Sequence, residues 1–131
     1  MWRTNAAISS LHVLEAISDQ ISVNILNAIA KDVTNSQNLM QLLNLTRKQY
    51  YDRSSRLLKI GLIRKENREI NLTSFGQLVH HSLLKIASAL EHSSELKAID
   101  ALRSDPGMSE DQQNSIIDKL IEDPEIKMLI T

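Results

Sequence analysis

Apolar residues recur along the chain mostly at three- and four-residue spacing, the period of a helix that buries one face. Ile8, Leu11, Leu14 (or Glu15), Ile17 and Ile21 follow it, which predicts a helix over 6–17. Ser18-Asp19 offers a cap for a second helix with Ile21, Ile25, Leu26, Ile29 and Ala30 on one face, since a short oxygen-bearing side chain can accept from a first-turn N–H. Asp32-Val33-Thr34-Asn35 reads as a connector with room for one β-bridge. Ser36 is the expected cap of a short helix carrying Leu39, Leu42 and Leu43, ending near Asn44-Leu45. Thr46 then caps a helix over 47–60, with Tyr50, Ser54, Leu57 and Leu58 inward and Arg47, Lys48, Tyr51, Asp52, Ser55 and Arg56 outward.

Gly61 falls where a helix end wants a left-handed residue. Beyond it, Leu62-Ile63-Arg64-Lys65 and Glu69-Ile70-Asn71-Leu72 are short extended runs, joined by a turn at Glu66-Asn67-Arg68. Thr73 or Ser74 caps a long helix, with Gln77 placed to complete a capping box with Ser74. Its stripe of Phe75, Leu78, Val79, Leu83, Ile86 and Leu90, widened by Leu84 and Ala87, exceeds what one small core needs. The pattern lets this helix run through Leu96, Ile99 and Leu102 to Arg103, before Asp105-Pro106-Gly107 stops it. Ser109 with Gln112 opens a helix carrying Ile116, Ile117, Leu120 and Ile121, and Asp123-Pro124 starts a last one with Ile126, Leu129 and Ile130.

Composition narrows this to a mostly α fold with a small β-hairpin. Among 131 residues there are 3 Gly and 2 Pro, too little turn chemistry for an all-β or doubly wound fold. Aromatics are 3% against 42% apolar residues, so the core must be built of its 19 Leu and 15 Ile. The absence of Cys excludes disulfides, thiolate metal sites and a cysteine nucleophile. No apolar run approaches the ~20 residues of a membrane span. Met1-Trp2-Arg3-Thr4-Asn5 is not followed by a signal-peptide core, so a cytoplasmic location is expected.

The formal charge of −1 hides an asymmetry. Residues 45–70 carry Arg47, Lys48, Arg53, Arg56, Lys59, Arg64, Lys65 and Arg68 against Asp52, Glu66 and Glu69. Residues 91–131 carry four basic and ten acidic groups. A basic segment in a near-neutral chain is the footprint of a surface that meets phosphates, though a solvated helix face gives the same tally.

The order helix, helix, short helix, tight turn, basic helix, glycine, hairpin, long helix is that of a winged helix-turn-helix, in which an exposed helix enters the major groove and the hairpin contacts flanking DNA. Ile25-Leu26-Asn27-Ala28-Ile29-Ala30, Leu42-Leu43-Asn44-Leu45-Thr46, Tyr50, Leu57, Gly61-Leu62-Ile63 and Leu72-Thr73-Ser74-Phe75-Gly76 carry the likeness. Residues 19–73 thus resemble archaeal and bacterial winged helix-turn-helix transcriptional regulators of the MarR/ArsR type.

The resemblance implies a DNA-binding domain over 6–73 and a helical dimerisation and C-terminal extension over 74–131. It implies a sequence-specific regulator of double-stranded DNA acting as a homodimer through the helix about 74–103, with recognition helix 46–60 and wing 62–72. The base-reading surface then falls on Thr46, Arg47, Lys48, Tyr51, Asp52 and Ser55, with Arg56 (and Arg53) on the backbone and Arg64, Lys65 and Arg68 on the wing. Tyr50 matches a buried position.

The rival reading is a winged-helix module for protein–protein contacts, its acidic tail engaging a basic partner. His81, His92 and Glu95 are similar in spacing to the interhelical zinc site of ArsR-type sensors, but Val79 stands where that family has a carboxylate, and a solvated helix face is the simpler reading. No cofactor is expected. No glycine-rich phosphate loop, nucleophile elbow or catalytic His/carboxylate cluster is present, so the expected role is binding, not catalysis.

Overall fold

The computed structural model describes residues 8–130. They form α1 (Ser10–Ala16), α2 (Gln20–Ala30), α3 (Ser36–Leu43), α4 (Arg47–Ile60), β1 (Ile63–Glu66), β2 (Glu69–Leu72), α5 (Ser74–Glu91), α6 (Ser93–Arg103), α7 (Glu110–Leu120) and α8 (Pro124–Ile130). The fold is mostly helical, with one small antiparallel sheet among the described residues. Of these helices none is long and apolar enough to cross a membrane. The chain divides into two compact units, one up to Ser82 and one from Leu83 onward, the division falling inside α5.

The first unit begins at α1, whose expected start at residue 6 lies outside the described residues. Asp19 caps α2, its carboxylate accepting from the Ser22 N–H at 2.8 Å and the Ser22 hydroxyl at 3.1 Å. Ser22, Ile25, Leu26, Ala28 and Ile29 are buried; Ala30, expected on that face, is exposed because the helix ends there. The cap of α3 is Asn35, not Ser36: Asn35 Oδ1 accepts from the N–H groups of Gln37 and Asn38. The Ser36 hydroxyl is instead paired with the Tyr50 hydroxyl at 2.9 Å. Leu39 alone is buried on α3, and Leu42, expected inward, is exposed.

In α4, Thr46 and Gln49 form a reciprocal capping box. Tyr50, Ser54 and Leu57 face inward at helical spacing, whereas Leu58 is largely exposed, contrary to the pattern. Gly61 closes the helix at φ +91°, a conformation that costs a side-chain-bearing residue dearly.

The hairpin pairs Ile63 with Leu72, Arg64 with Asn71, Lys65 with Ile70 and Glu66 with Glu69. Its turn is therefore two residues, Asn67 and Arg68, not three. Both have positive φ, the twist-matched geometry of tight hairpins, reached here without glycine. The connector supplies the expected bridge, Asn35 to Glu69, and the Thr34 carbonyl accepts from the Ile70 N–H.

Thr73, not Ser74, caps α5. Its hydroxyl oxygen accepts from the Gly76 N–H and donates to the Gly61 carbonyl, tying the end of α4 to the start of α5. Ser74 is already helical, so the box with Gln77 does not form. At Gly76 a Cβ would lie 1.9 Å from the Leu62 carbonyl oxygen, so only glycine allows α5 to pass over the entry to β1.

The expected continuous helix to Arg103 is broken at His92. That residue leaves helical geometry (φ −97°, ψ 18°) and its Nδ1 lies 2.8 Å from the Ser88 carbonyl. His92-Ser93-Ser94 is a run of weak helix formers that favours such an interruption.

In the second unit Ile99, Ile117, Ile121 and Ile126 form a core, with Leu96, Leu120 and Ile130 packed against it. Ser109 and Gln112 make the expected box on α7. Asp123 caps α8, accepting from the N–H groups of Glu125 and Ile126, with Pro124 at the first helical position. Lys85 reaches Glu125 at 2.9 Å and Asp123 at 3.4 Å.

Candidate nucleic-acid interface

The outward face of α4 begins where its cap sets it. Arg47 and Lys48 occupy the first turn, and Thr46, Tyr51, Asp52, Ser55 and Arg56 follow; all seven are exposed. The Thr46 oxygen accepts from the Gln49 N–H at 3.1 Å, which leaves its O–H free to donate elsewhere. Tyr51 stands edge-on to Tyr50, with ring centroids 5.0 Å apart. Tyr50 is 1% exposed, as the sequence anticipates, and burial holds its phenol above the usual tyrosine value despite the Ser36 hydrogen bond. One aromatic thus anchors α4 in the core and props the next outward.

The basic residues differ in what they are free to do. Arg53 is half-buried, with its Nε 3.6 Å from Asp19, so it serves the α2–α4 junction rather than an outer partner. Burial pushes the Asp19 carboxyl upward, but the Ser22 hydrogen bonds and the charges of Arg53 and Arg56 outweigh it and hold it below the usual aspartate value.

On the hairpin, Arg64, Lys65 and Arg68 are all exposed. Arg64 lies 3.8 Å from Glu66, on the face opposite Lys65, since neighbours along a strand alternate. Lys65 shares the face of Ile63 and Ile70, which are buried. Arg47, Lys65 and Arg68 make no ion pair among the described residues.

Two of the clefts that adjoin α4 each gather more than one basic side chain. One, of about 740 Å³, lies between α1 and α4 and brings Arg56 and Lys59 together with His12 and Glu15. The other, of about 350 Å³, gathers Arg47, Tyr51, Lys65 and Arg68 with Asn35, Ser36, Gln37 and Met40. The part of α3 in this second cleft was not anticipated. The only sequence signal for it is the bridge-forming connector, which carries α3's first turn to the hairpin.

Among the described residues no group of three or more His, Asp or Glu side chains could hold a metal ion, so His81, His92 and Glu95 are not gathered within one chain. On α5, Leu78, Ile86 and Leu90 lie on one side of the helix by its period and are 68%, 63% and 74% exposed; Phe75 shares that side. Comparisons with protein-family models, curated proteins and solved structures found no match.

Proposed function

We propose that the chain is a sequence-specific regulator of transcription that binds double-stranded DNA as a homodimer. The region 6–73 acts as a winged helix-turn-helix of the MarR/ArsR type, with helix 46–60 in the major groove and hairpin 62–72 on the flanking backbone. The observation that carries this reading is the outward face of α4. Arg47, Lys48, Tyr51, Asp52 and Ser55 are exposed on a helix whose other side is anchored by Tyr50, Ser54 and Leu57, beside a cationic hairpin. A rigid polar helix face of this kind suits a groove that must be read by hydrogen bonds. The exposed apolar side of α5 supports pairing of two copies, since one recognition helix contacts too few bases for specificity.

Binding to random duplex is expected at low salt, weakening as salt rises with a log–log slope of about −0.9 per phosphate neutralised. Arg47→Ala with Lys48→Ala should lower affinity roughly tenfold or more while moving stability by less than about 0.5 kcal/mol. No duplex binding at low salt would transfer the assignment to the rival protein-interaction module.

A further inference from the structure

Resting on that DNA-binding reading, we infer that Arg47, Lys65 and Arg68 form one phosphate clamp, closing together on a single backbone phosphodiester where α4 meets the hairpin. The reading above treats these three cations as separate contacts; their geometry gathers them. They come from the first turn of α4, the core-facing side of β1 and the hairpin turn, yet line one cleft of about 350 Å³. No carboxylate lines that cleft. Several cations elsewhere do have acidic company: Arg53 has Asp19, Arg64 has Glu66, Lys85 has Asp123 and Glu125, and the cleft of Arg56 and Lys59 contains Glu15. Three like charges converging without a counter-charge repel one another, and an anion seated among them relieves that repulsion.

The donor inventory says which groups do the holding. The N–H groups of Gln37 and Asn38 are already taken by the Asn35 side chain, and the Ser36 hydroxyl is paired with the Tyr50 hydroxyl, either of which can be the donor. The anion therefore meets chiefly side chains: two guanidinium forks, an ammonium, and the neutral donors of Asn35, Gln37 and Tyr51 that line the cleft. Guanidinium forks match the paired oxygens of a phosphate. The backbone strain at the turn fits as well, because Arg68 sits at φ +68° where glycine or asparagine would be easier. Arg47 accordingly fixes register on the strand and carries no base specificity, which falls to Lys48, Tyr51, Asp52 and Ser55.

Two measurements on the full chain test this. Inorganic phosphate is titrated against chloride at constant ionic strength while side-chain NMR signals of Arg47, Lys65 and Arg68 are followed. One shared saturable curve, lost at Lys65 and Arg68 in Arg47→Gln, is expected; separate or non-saturating curves would overturn the clamp. Next, a duplex selected by the protein from a random pool is rebuilt with single neutral methylphosphonates. At one position per half-site the replacement should weaken wild type roughly tenfold or more. The same replacement should barely affect Arg47→Gln, Lys65→Gln or Arg68→Asn, the last chosen because asparagine tolerates positive φ.

If the three variants couple to three different phosphates, the clamp falls and the DNA reading stands. If no duplex binds but the phosphate curve is shared, the DNA reading falls and the clamp remains as a site for free phosphate esters. Unchanged melting curves for the three variants exclude unfolding as the cause of any loss.

Discussion

Single residues decide how tightly the first unit is closed. Gly76 is the sharpest case. Replacing it with alanine puts a methyl group into the Leu62 carbonyl, and neither α5 nor the start of β1 can retreat without breaking the Thr73 cap. Gly76→Ala should cost at least about 1–3 kcal/mol in chemical denaturation, the range of core overpacking. Gly61→Ala should cost about 1 kcal/mol, through φ alone, because nothing lies within 4 Å of its missing Cβ.

Against the burial that disfavours it, Asp19 keeps its charge through the Ser22 hydrogen bonds first and the Arg53 and Arg56 cations second, which together outweigh that burial. Its carboxyl is held below the usual value in the folded chain, so the stability it confers is complete above the unfolded value of about 3.9 and is lost as pH falls through the folded value. Asp19→Asn should flatten the acid-side decline in melting temperature and leave the neutral-to-alkaline side parallel to wild type. An acid limb as steep as before would show that the carboxylate is not its source.

At the scale of elements, the hairpin and α5 each set function against stability. The turn holds Arg68 in a left-handed conformation that costs about 1 kcal/mol more than glycine would. Arg68→Gly should therefore raise the melting temperature by a few degrees and weaken DNA binding in the same variant. A gain in both would remove the case for a functional arginine there. Along α5, Leu78, Ile86 and Leu90 make an exposed apolar surface on a helix whose only buried residue is Gly76. Leu78→Glu with Leu90→Glu should shift sedimentation from dimer to monomer without lowering helix content, since both side chains face solvent within the chain. A wild type that sediments as a monomer at working concentration would remove the homodimer from the proposal.

Across the whole molecule, net charge is a poor guide. The formal −1 joins a segment of eight basic and three acidic groups to one of four basic and ten acidic. The two have different structural fates. In the second unit, Lys85 bridges Asp123 and Glu125, and Lys127 lies 3.8 Å from Asp118, so cations are spent on holding helices. In the first, only Arg53 and Arg64 of the basic segment are within ion-pair distance of a carboxylate among the described residues, and its other cations are exposed. The Lys85 bridge raises that ammonium's pKa, chiefly through the hydrogen bond to Glu125. Its contribution is full below the ordinary lysine value of about 10.4 and is lost as pH rises through the folded one.

The amino-acid order alone determined what depends on neighbours three or four residues away. The caps at Asp19, Thr46, Ser109 and Asp123, the stop at Gly61, the burial of Tyr50 and the exposure of Arg47, Lys48 and Tyr51 all follow from local hydrogen bonding and helical period. Where two capping residues stand side by side, folding chose between them by distant partners. Ser36 yields to Asn35 because its hydroxyl meets Tyr50, and Thr73 is used because it also reaches Gly61. The break at His92, where backbone and ring both meet the Ser88 carbonyl, is local geometry that a hydrophobic stripe cannot register. Above all, tertiary structure separated eight similar cations into those committed internally and those left open. It brought Arg47, Lys65 and Arg68 to one cleft across 21 positions of sequence, a convergence set by strand register and helix packing that no local period encodes.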